Sequence, residues 1–474
     1  MNTPVAAASP ELRTQSFWAD VREAIAGSTR DYTDGSIGRA ITLLAIPMVL
    51  EMCMESLFGL VDVFFVASLG NYATATVGVT ESMLTILFAI AMGLSMAATA
   101  TIARRIGEKQ SDAAAVAAVQ IIGAGIIIAG CFGIFGGLAA PSLLRAMGAD
   151  VEMIEKGSAY TSVIFGGSIT VFLLFLINAV FRGAGDAAIA MRTLWLANGV
   201  NIVLDPCLIF GWGPFPELGL TGAAVATTIG RGTGVAYQFA MLIRGRGRLT
   251  IRREHVRFDW QVLRTMLRVS VNGMFQYLIA TASWVALVRM VALFGSAAVA
   301  GYTIAIRLLI FAILPSWGMS NAAATLVGQN LGAGKPERAE RSVYLAGFYN
   351  MIFLGLVAIV FISFAEVIVQ QFTVQPEVLP IAVKCLRLVS YGYVFYAWGM
   401  VMEQAFNGAG DTATPTIINL FCYWLFQIPL AYSLAMWGGF GESGVFLAIT
   451  IAESSLAVVA LLAFRRGKWK RQKI

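Results

Sequence analysis

Three acidic residues, Glu51, Glu55 and Asp62, stand in the apolar stretch "LAIPMVLEMCMESLFGLVDVFFVASLG" (44–70). On a helix they fall at about 0°, 40° and 20°, so they form one stripe. Pro47 opens the stripe; it removes a backbone hydrogen bond and permits a bend. A second polar set lies in "NGVNIVLDP" (198–206). There Asn198, Asn201 and Asp205 share one face, within about 60°. Carboxylates, amides and a nearby hydroxyl suit a hard monovalent cation. Asp62, Asn201 and Asp205 are the expected core of a Na⁺ site, and Thr227 is the expected hydroxyl. The same carboxyls could hold protons, because apolar surroundings disfavour a bare carboxylate. Glu51 and Glu55 are secondary candidates on the Pro47 stripe, and Arg231 could neutralise one of them.

These residues need helices that cross a bilayer. Apolar residues make up 58% of the 474 and charged residues 13%, against roughly 25% charge in soluble domains. Mean hydropathy is +0.76. The apolar residues come in runs of about 20, enough to cross a hydrocarbon core. Twelve spans are expected, at 41–67, 77–103, 114–140, 158–180, 190–211, 221–243, 268–293, 299–327, 343–364, 385–406, 414–436 and 443–464. The reading is an all-α integral membrane protein.

Lys and Arg fix an expected orientation. They crowd the two tails and the segments after even-numbered spans. The other side carries only Arg145, Lys156, Lys384 and Arg387. Both termini are therefore expected in the cytoplasm. The net charge of +6 reads as a topology signal, not a nucleic-acid patch. The most basic segment, "RGRGRLTIRREHVRFDW" (244–260), falls at the midpoint and reads as a linker resting on lipid headgroups. Residues 11–25 could form a short surface helix. The only histidine, His255, is expected to be solvated. Five cysteines lie in or beside apolar runs with no CxxC pair, and read as packing residues.

The chain repeats itself. "FRGAGD" (181–186) and "FNGAGD" (406–411) lie 225 residues apart. At the same offset Gly70 meets Gly295, Gly93 meets Gly318, and Gly107 meets Gly332. After the loop between spans 5 and 6 the offset becomes 222, where Gly222, Ala226 and Thr228 meet Gly444, Ala448 and Thr450. A six-span unit returns to its starting side, so the halves are parallel repeats with a cavity expected between them. The expected domains are a tail (1–36), an N-lobe (37–243), a linker (244–267), a C-lobe (268–465) and a second tail (466–474). The hexapeptides close spans 4 and 10, and are expected to shape the inner hinge of each lobe.

The second half reads as poorer in charge. Gln276 falls where the first half has Glu51, and Glu403 falls where it has Asn178. Arg289 is expected to snorkel, whereas Arg307 lies deeper. Tyr391, Tyr393, Tyr396 and Trp398 could face a cleft and hold flat cations. "GQNLGAGKPE" (328–337) is no phosphate loop, since Gln329 and Pro336 replace its required glycine and hydroxyl residue. No nucleophile, metal or base cluster suggests an enzyme, and no ATP site is visible.

These stretches, with "ARRIGE" (103–108), "NIVLDPCLIFG" (201–211) and "AIRLLIFAILPSWGMSNAAATLVGQNLGAGKPERAE" (305–340), resemble the multidrug and toxic compound extrusion (MATE) family. The resemblance covers nearly all of residues 35–465. It implies two six-helix lobes, with twelve transmembrane helices in all, and a cation-coupled antiporter driven by H⁺ or Na⁺. It implies no cofactor, a small organic substrate, a lipid environment and a monomer in the cell membrane. Pro47 and Asp62 match the family's first-helix motif, and Asn201 and Asp205 its fifth-helix amide and acid. Acids that some members carry in helices 7 and 10 are missing; Tyr396 occupies the matching helix 10 place. That places the chain nearest the DNA-damage-inducible branch, with coupling in the N-lobe. The alternative is a lipid or lipid-linked metabolite flippase of the same superfamily.

Overall fold

A computed structural model describes residues 17–472 and 474. A short helix, α1 (Phe17–Ala26), precedes the first span. The first six spans are α2 (Ile37–Ala67), α3 (Asn71–Gly107), α4 (Ser111–Ala146), the pair α5 (Val151–Gly166) and α6 (Ser168–Ala184), α7 (Ala187–Phe210) and α8 (Leu220–Arg244). The second six begin with α9 (Trp260–Ala292), α10 (Ser296–Gly332) and α11 (Pro336–Gln370). Then come the pair α12 (Leu379–Ser390) and α13 (Tyr393–Ala409), and α14 (Ala413–Asn419), which continues through α15 (Ile428–Tyr432) with wide π-turns on either side. The last span is α16 (Glu442–Arg465). Among the described residues, nine spans are long and apolar enough to cross a membrane by length and composition alone. All twelve expected spans lie on helices. Most helices outrun their expected ends, because α3 and α10, at 37 residues each, reach about 56 Å and exceed a hydrocarbon core of about 30 Å. The linker shortens for the same reason, since α9 starts at Trp260.

The repeat survives in three dimensions. α3 and α10 are equal in length, and so are α6 and α13, at 17 residues each. The offset falls from 225 to 222 because the loop 211–219 loses five residues to become 438–441, while the helical segment before it runs two residues longer. Each hexapeptide ends its helix in the same way. Gly185 (φ 90) and Gly410 (φ 83) take the left-handed conformation that favours glycine. The next amides, Asp186 N–H and Asp411 N–H, then donate back to the Phe181 and Phe406 carbonyls at 2.8 and 2.9 Å, closing a Schellman turn.

The lobes meet in the half of the molecule nearer the chain termini. Gly107 lies against the Gln329 carbonyl and Gly332 against the Arg104 carbonyl, so close that a β-carbon at either would clash. Across the same seam Gln329 Nε2 donates to Gly183 O at 3.1 Å, and Thr325 Oγ1 to Arg182 O at 3.0 Å. Higher up, Gly318 rests on α2 at Met48 and Gly93 on α9 at Ser270.

The segment 28–35 straps this face. Asp31 binds Lys109 of the first lobe. Lys335 of the second lobe donates to Thr33 O at 3.1 Å, and Arg338 donates to Tyr32 O and Gly35 O at 3.2 and 2.9 Å. Arg248 stacks over the Tyr32 ring at 4.3 Å. The C-terminal tail joins it: Trp469 is buried on Phe464, and Arg104 binds Gln472 O. Of the surface helix expected at 11–25, residues 11–16 lie outside the described residues, and α1 carries the rest. His255 corrects the sequence reading. It is buried, not solvated, because Nδ1 accepts the Arg252 N–H at 3.1 Å and Nε2 faces Asp112 at 3.3 Å.

Candidate functional site

The three acids on α2 share a stripe but serve three separate sites. Glu51, only 1% exposed, accepts from Asn178 at 3.0 Å and Arg182 at 2.8 Å, both on α6. Gln238 of α8 donates to Asn178 Oδ1 at 2.7 Å and holds that amide in place. Glu55, one turn on, accepts a two-pronged bond from Arg231 at 2.9 and 3.2 Å, and a third from Asn198 at 3.1 Å. The Arg231 guanidinium also lies 4.6 Å over the Phe58 ring. Arg231 thus pairs with Glu55, and Glu51 takes a partner that the sequence reading missed. Two arginines cancel the buried Glu51 and the half-buried Glu55, which removes most of the penalty of burying either charge alone.

Among the described residues Asp62 and Asp205 make no ion pair, although Arg231 is near enough to act on Asp62. Asp205 is fully buried on α7. Its Oδ1 accepts from Asn201 at 3.3 Å, and the same amide donates to Thr227 of α8 at 3.2 Å. Its Oδ2 and the Asn201 carbonyl oxygen are buried with no partner. Asp62 is half-buried and near enough to Asp205 for their charges to interact. Tyr160 of α5 stands within the field of both and of the exposed Glu81 of α3, and Glu81 also acts on Asp62. Close packing of α7 on α8 fixes the set, since Gly230 abuts the Ala197 carbonyl. The donors present are oxygen atoms held with acceptor lone pairs free, which fits a hard monocation or a proton. Asn198 belongs to the Glu55 network and leaves this set. Pro47 is buried inside α2, which runs on through it as one helix. Arg307 is exposed on α10, within the field of Glu81.

The second lobe is not poor in acid. Glu453 of α16 was missed; it is buried and accepts from the Tyr423 hydroxyl at 3.5 Å. Glu403 of α13 lies near Asn419, and its Oε1 has no partner among the described residues. A cavity of about 250 Å³ opens beside Glu403, and a smaller one of about 20 Å³ beside Glu453. Tyr396 stands between them and lines both. Of the other cleft candidates, Tyr393 is buried and Tyr391 exposed. Trp398 packs on Gly347 and donates to the Met351 sulfur.

The MatE family profile matches residues 47–207 and 274–433, one segment in each half of the repeat. The chain belongs to the MatE family. It is 26% identical over 438 residues to the probable multidrug resistance protein NorM of Thermotoga maritima, covering 92% of this chain and 94% of that one. It is also 25% identical to the FAD transporter of Shewanella oneidensis, covering 91% of this chain and 95% of that one. Its fold matches an outward-facing multidrug resistance MATE family transporter with a TM-score of 0.87 at 27% identity, over 93% of this chain and 98% of that one. MatE chains are membrane transporters and not enzymes.

Two signals for the missed residues were present in the sequence. The hexapeptides differ at one position, Arg182 against Asn407, and that position carries the Glu51 partner. The offset of 222 sets Glu453 opposite Arg231.

Proposed function

We propose that the chain is a multidrug exporter of organic compounds, driven by H⁺ or Na⁺ bound at Asp62, Asn201, Asp205 and Thr227. One observation carries this reading: a fully buried Asp205, bonded to Asn201 through Oδ1, whose Oδ2 has no partner among the described residues, as the Asn201 oxygen has none. Among the described residues no cation pairs with these atoms, so the charge must come from a mobile one. When the ion binds, the acids no longer carry uncompensated charge, and α2 is free to bend near Pro47. Substrate then leaves the cleft between the lobes. A membrane potential of 100 mV adds about 2.3 kcal/mol per charge moved, and the ion gradient supplies the rest.

The Lys and Arg bias puts both termini in the cytoplasm of a cell-membrane protein that works as a monomer, with lobes at 37–243 and 268–465. With that orientation, the sealed face is the cytoplasmic one, and the structure is in an outward-facing state. The strap at 28–35 and the seam at Gly107 and Gly332 then close the inner gate.

Transport in proteoliposomes, with Na⁺ and H⁺ gradients imposed separately, tests the reading. Wild type should drive efflux with one gradient or the other, and Asp62→Asn should lose it. Undiminished transport in Asp62→Asn would sink the coupling site, and downhill flux without either gradient would mark a channel.

A further inference from the structure

We propose that a groove between α11 and α12 binds one phospholipid headgroup, a phosphate joined to a primary ammonium as in phosphatidylethanolamine, through Lys384, Arg387 and Glu366. The groove lies on the outside of the second lobe. Around Glu366, α11 exposes Ile359, Phe364 and Val367, so this face meets lipid. The helix leaves the strapped face at Pro336 and runs 35 residues, about 52 Å. Glu366 therefore lies near the opposite membrane surface, which the proposed orientation makes the outer leaflet.

The two lobes treat one equivalent carbonyl differently. In the first, the Ser162 hydroxyl donates to Gly137 O at 2.5 Å. The positions at the offset of 225 are Arg387 and Ile362, and there Arg387 Nε donates to Ile362 O at 3.2 Å. A hydroxyl is enough for that bond. A guanidinium has five N–H donors in a fixed fork, so Arg387 keeps four that the bond does not use. Ala159 and Pro141 of the first lobe likewise give way to Lys384 and Glu366. Three charged side chains thus stand where the first lobe has none.

These charges share the groove but do not pair with one another. Among the described residues Glu366 makes no ion pair, and it accepts only from Gln370 Nε2, at 3.4 Å. Charges of both signs, held apart around one space, match a ligand that carries both signs. A phosphate between Lys384 and Arg387 gains charge-assisted hydrogen bonds, and a primary ammonium at Glu366 gains another. A quaternary head has no N–H to give Glu366, and a glycerol head has no charge to give it. At about 460 Å³ the groove is about fifteen times the ≈ 30 Å³ of a water molecule, so a bare ion would leave it unfilled. Val383 and Leu388 supply an apolar wall for the start of the acyl chains. Tyr391 lines the mouth and is exposed, as suits a phenol at a membrane–water interface.

Native mass spectrometry of the purified, delipidated full-length protein tests the site. The probes are phosphatidylethanolamine, phosphatidylcholine and phosphatidylglycerol with the same acyl chains. Wild type should hold its first phosphatidylethanolamine about tenfold more tightly than either other lipid. Lys384→Ala with Arg387→Ser installs the first-lobe residues and keeps a donor for Ile362 O; it should weaken that binding by about tenfold or more. Glu366→Gln should bring phosphatidylethanolamine down to the level of phosphatidylcholine and leave the other two lipids unchanged, a result that can be read even where the double variant fails to fold. Equal phosphatidylethanolamine affinity in wild type and the double variant overturns the site. So does a wild type without preference among the three lipids, or a preference that survives Glu366→Gln. Inorganic phosphate at millimolar concentration should not displace the lipid, and displacement would overturn the lipid assignment in favour of a free anion. All these outcomes are separate from the efflux reading, because binding is measured without a gradient.

Discussion

One pattern of helix positions is filled in two ways. Where the first lobe sets Glu51, Asn178 and Arg182, the second sets Gln276, Glu403 and Asn407. The first set is an ion pair held by an amide, neutral as a whole. The second is one acid between two amides, with a charge left over. Farther along the spans the contrast reverses. Asp62, Asn201, Asp205 and Thr227 stand opposite Leu287, Phe426, Leu430 and Ile449. The first lobe keeps its uncompensated acids in one half of its depth, and the second keeps its own in the other half. The backbone was kept and the charge was moved between the lobes.

The largest expected effect comes from breaking the compensated side. Arg182→Met leaves Glu51 buried with an uncancelled charge and should cost about 3–5 kcal/mol of stability. The equivalent Asn407→Ala should cost far less. Melting temperatures of the two purified variants measure the contrast, and equal melting would remove the claim that Arg182 neutralises Glu51. Next in size, Asp205→Asn should cut gradient-driven efflux at least about a hundredfold, near 2.7 kcal/mol, with melting unharmed. Its counterpart, Leu430→Asn, should leave the ion dependence of transport intact. If both change that dependence alike, the cation chemistry is not confined to the first lobe.

A smaller effect tests the second ion pair. Glu55→Arg and Arg231→Glu should each weaken the protein. Together they should recover a coupling of about 1–3 kcal/mol in a double-mutant cycle. Strictly additive losses would show that Arg231 serves something other than Glu55. The smallest effect lies at the strap. Burial raises the Asp31 carboxyl, but hydrogen bonds from Lys109 and Thr33 outweigh it and hold the group well below the usual carboxylate range. The bond therefore stabilises the sealed face above about pH 4 and fades as pH falls below that. Asp31→Asn should lower stability by less than about 1 kcal/mol at neutral pH. The gap should shrink in acid, and a gap that widens there would refute the assignment.

The spans were legible because each is a long apolar run ended by glycine or charge. The repeat was legible because a fixed offset joins Gly70 to Gly295 and FRGAGD to FNGAGD. Asp62, Asn201 and Asp205 could be picked out because acids and amides are costly among leucines and isoleucines. The partners were not legible. Helical angles place Glu51, Glu55 and Asp62 on one stripe but cannot say that α6 meets the first, α8 the second and α7 the third. Arg182 lies inside a helix-ending hexapeptide and Glu453 alone in the last span, and nothing along the chain says which helix faces either.

The sequence by itself determined twelve helices, two equivalent halves and the residues too polar to face lipid. Those follow from hydropathy, periodicity and the cost of burying charge, which act along one segment at a time. Only the tertiary structure decided which acids are cancelled and which remain open, and that the lobes are sealed near the termini. Those depend on which helix faces lie together, and a side chain 3 Å away in space can be more than a hundred residues away in the chain, as Arg182 is from Glu51.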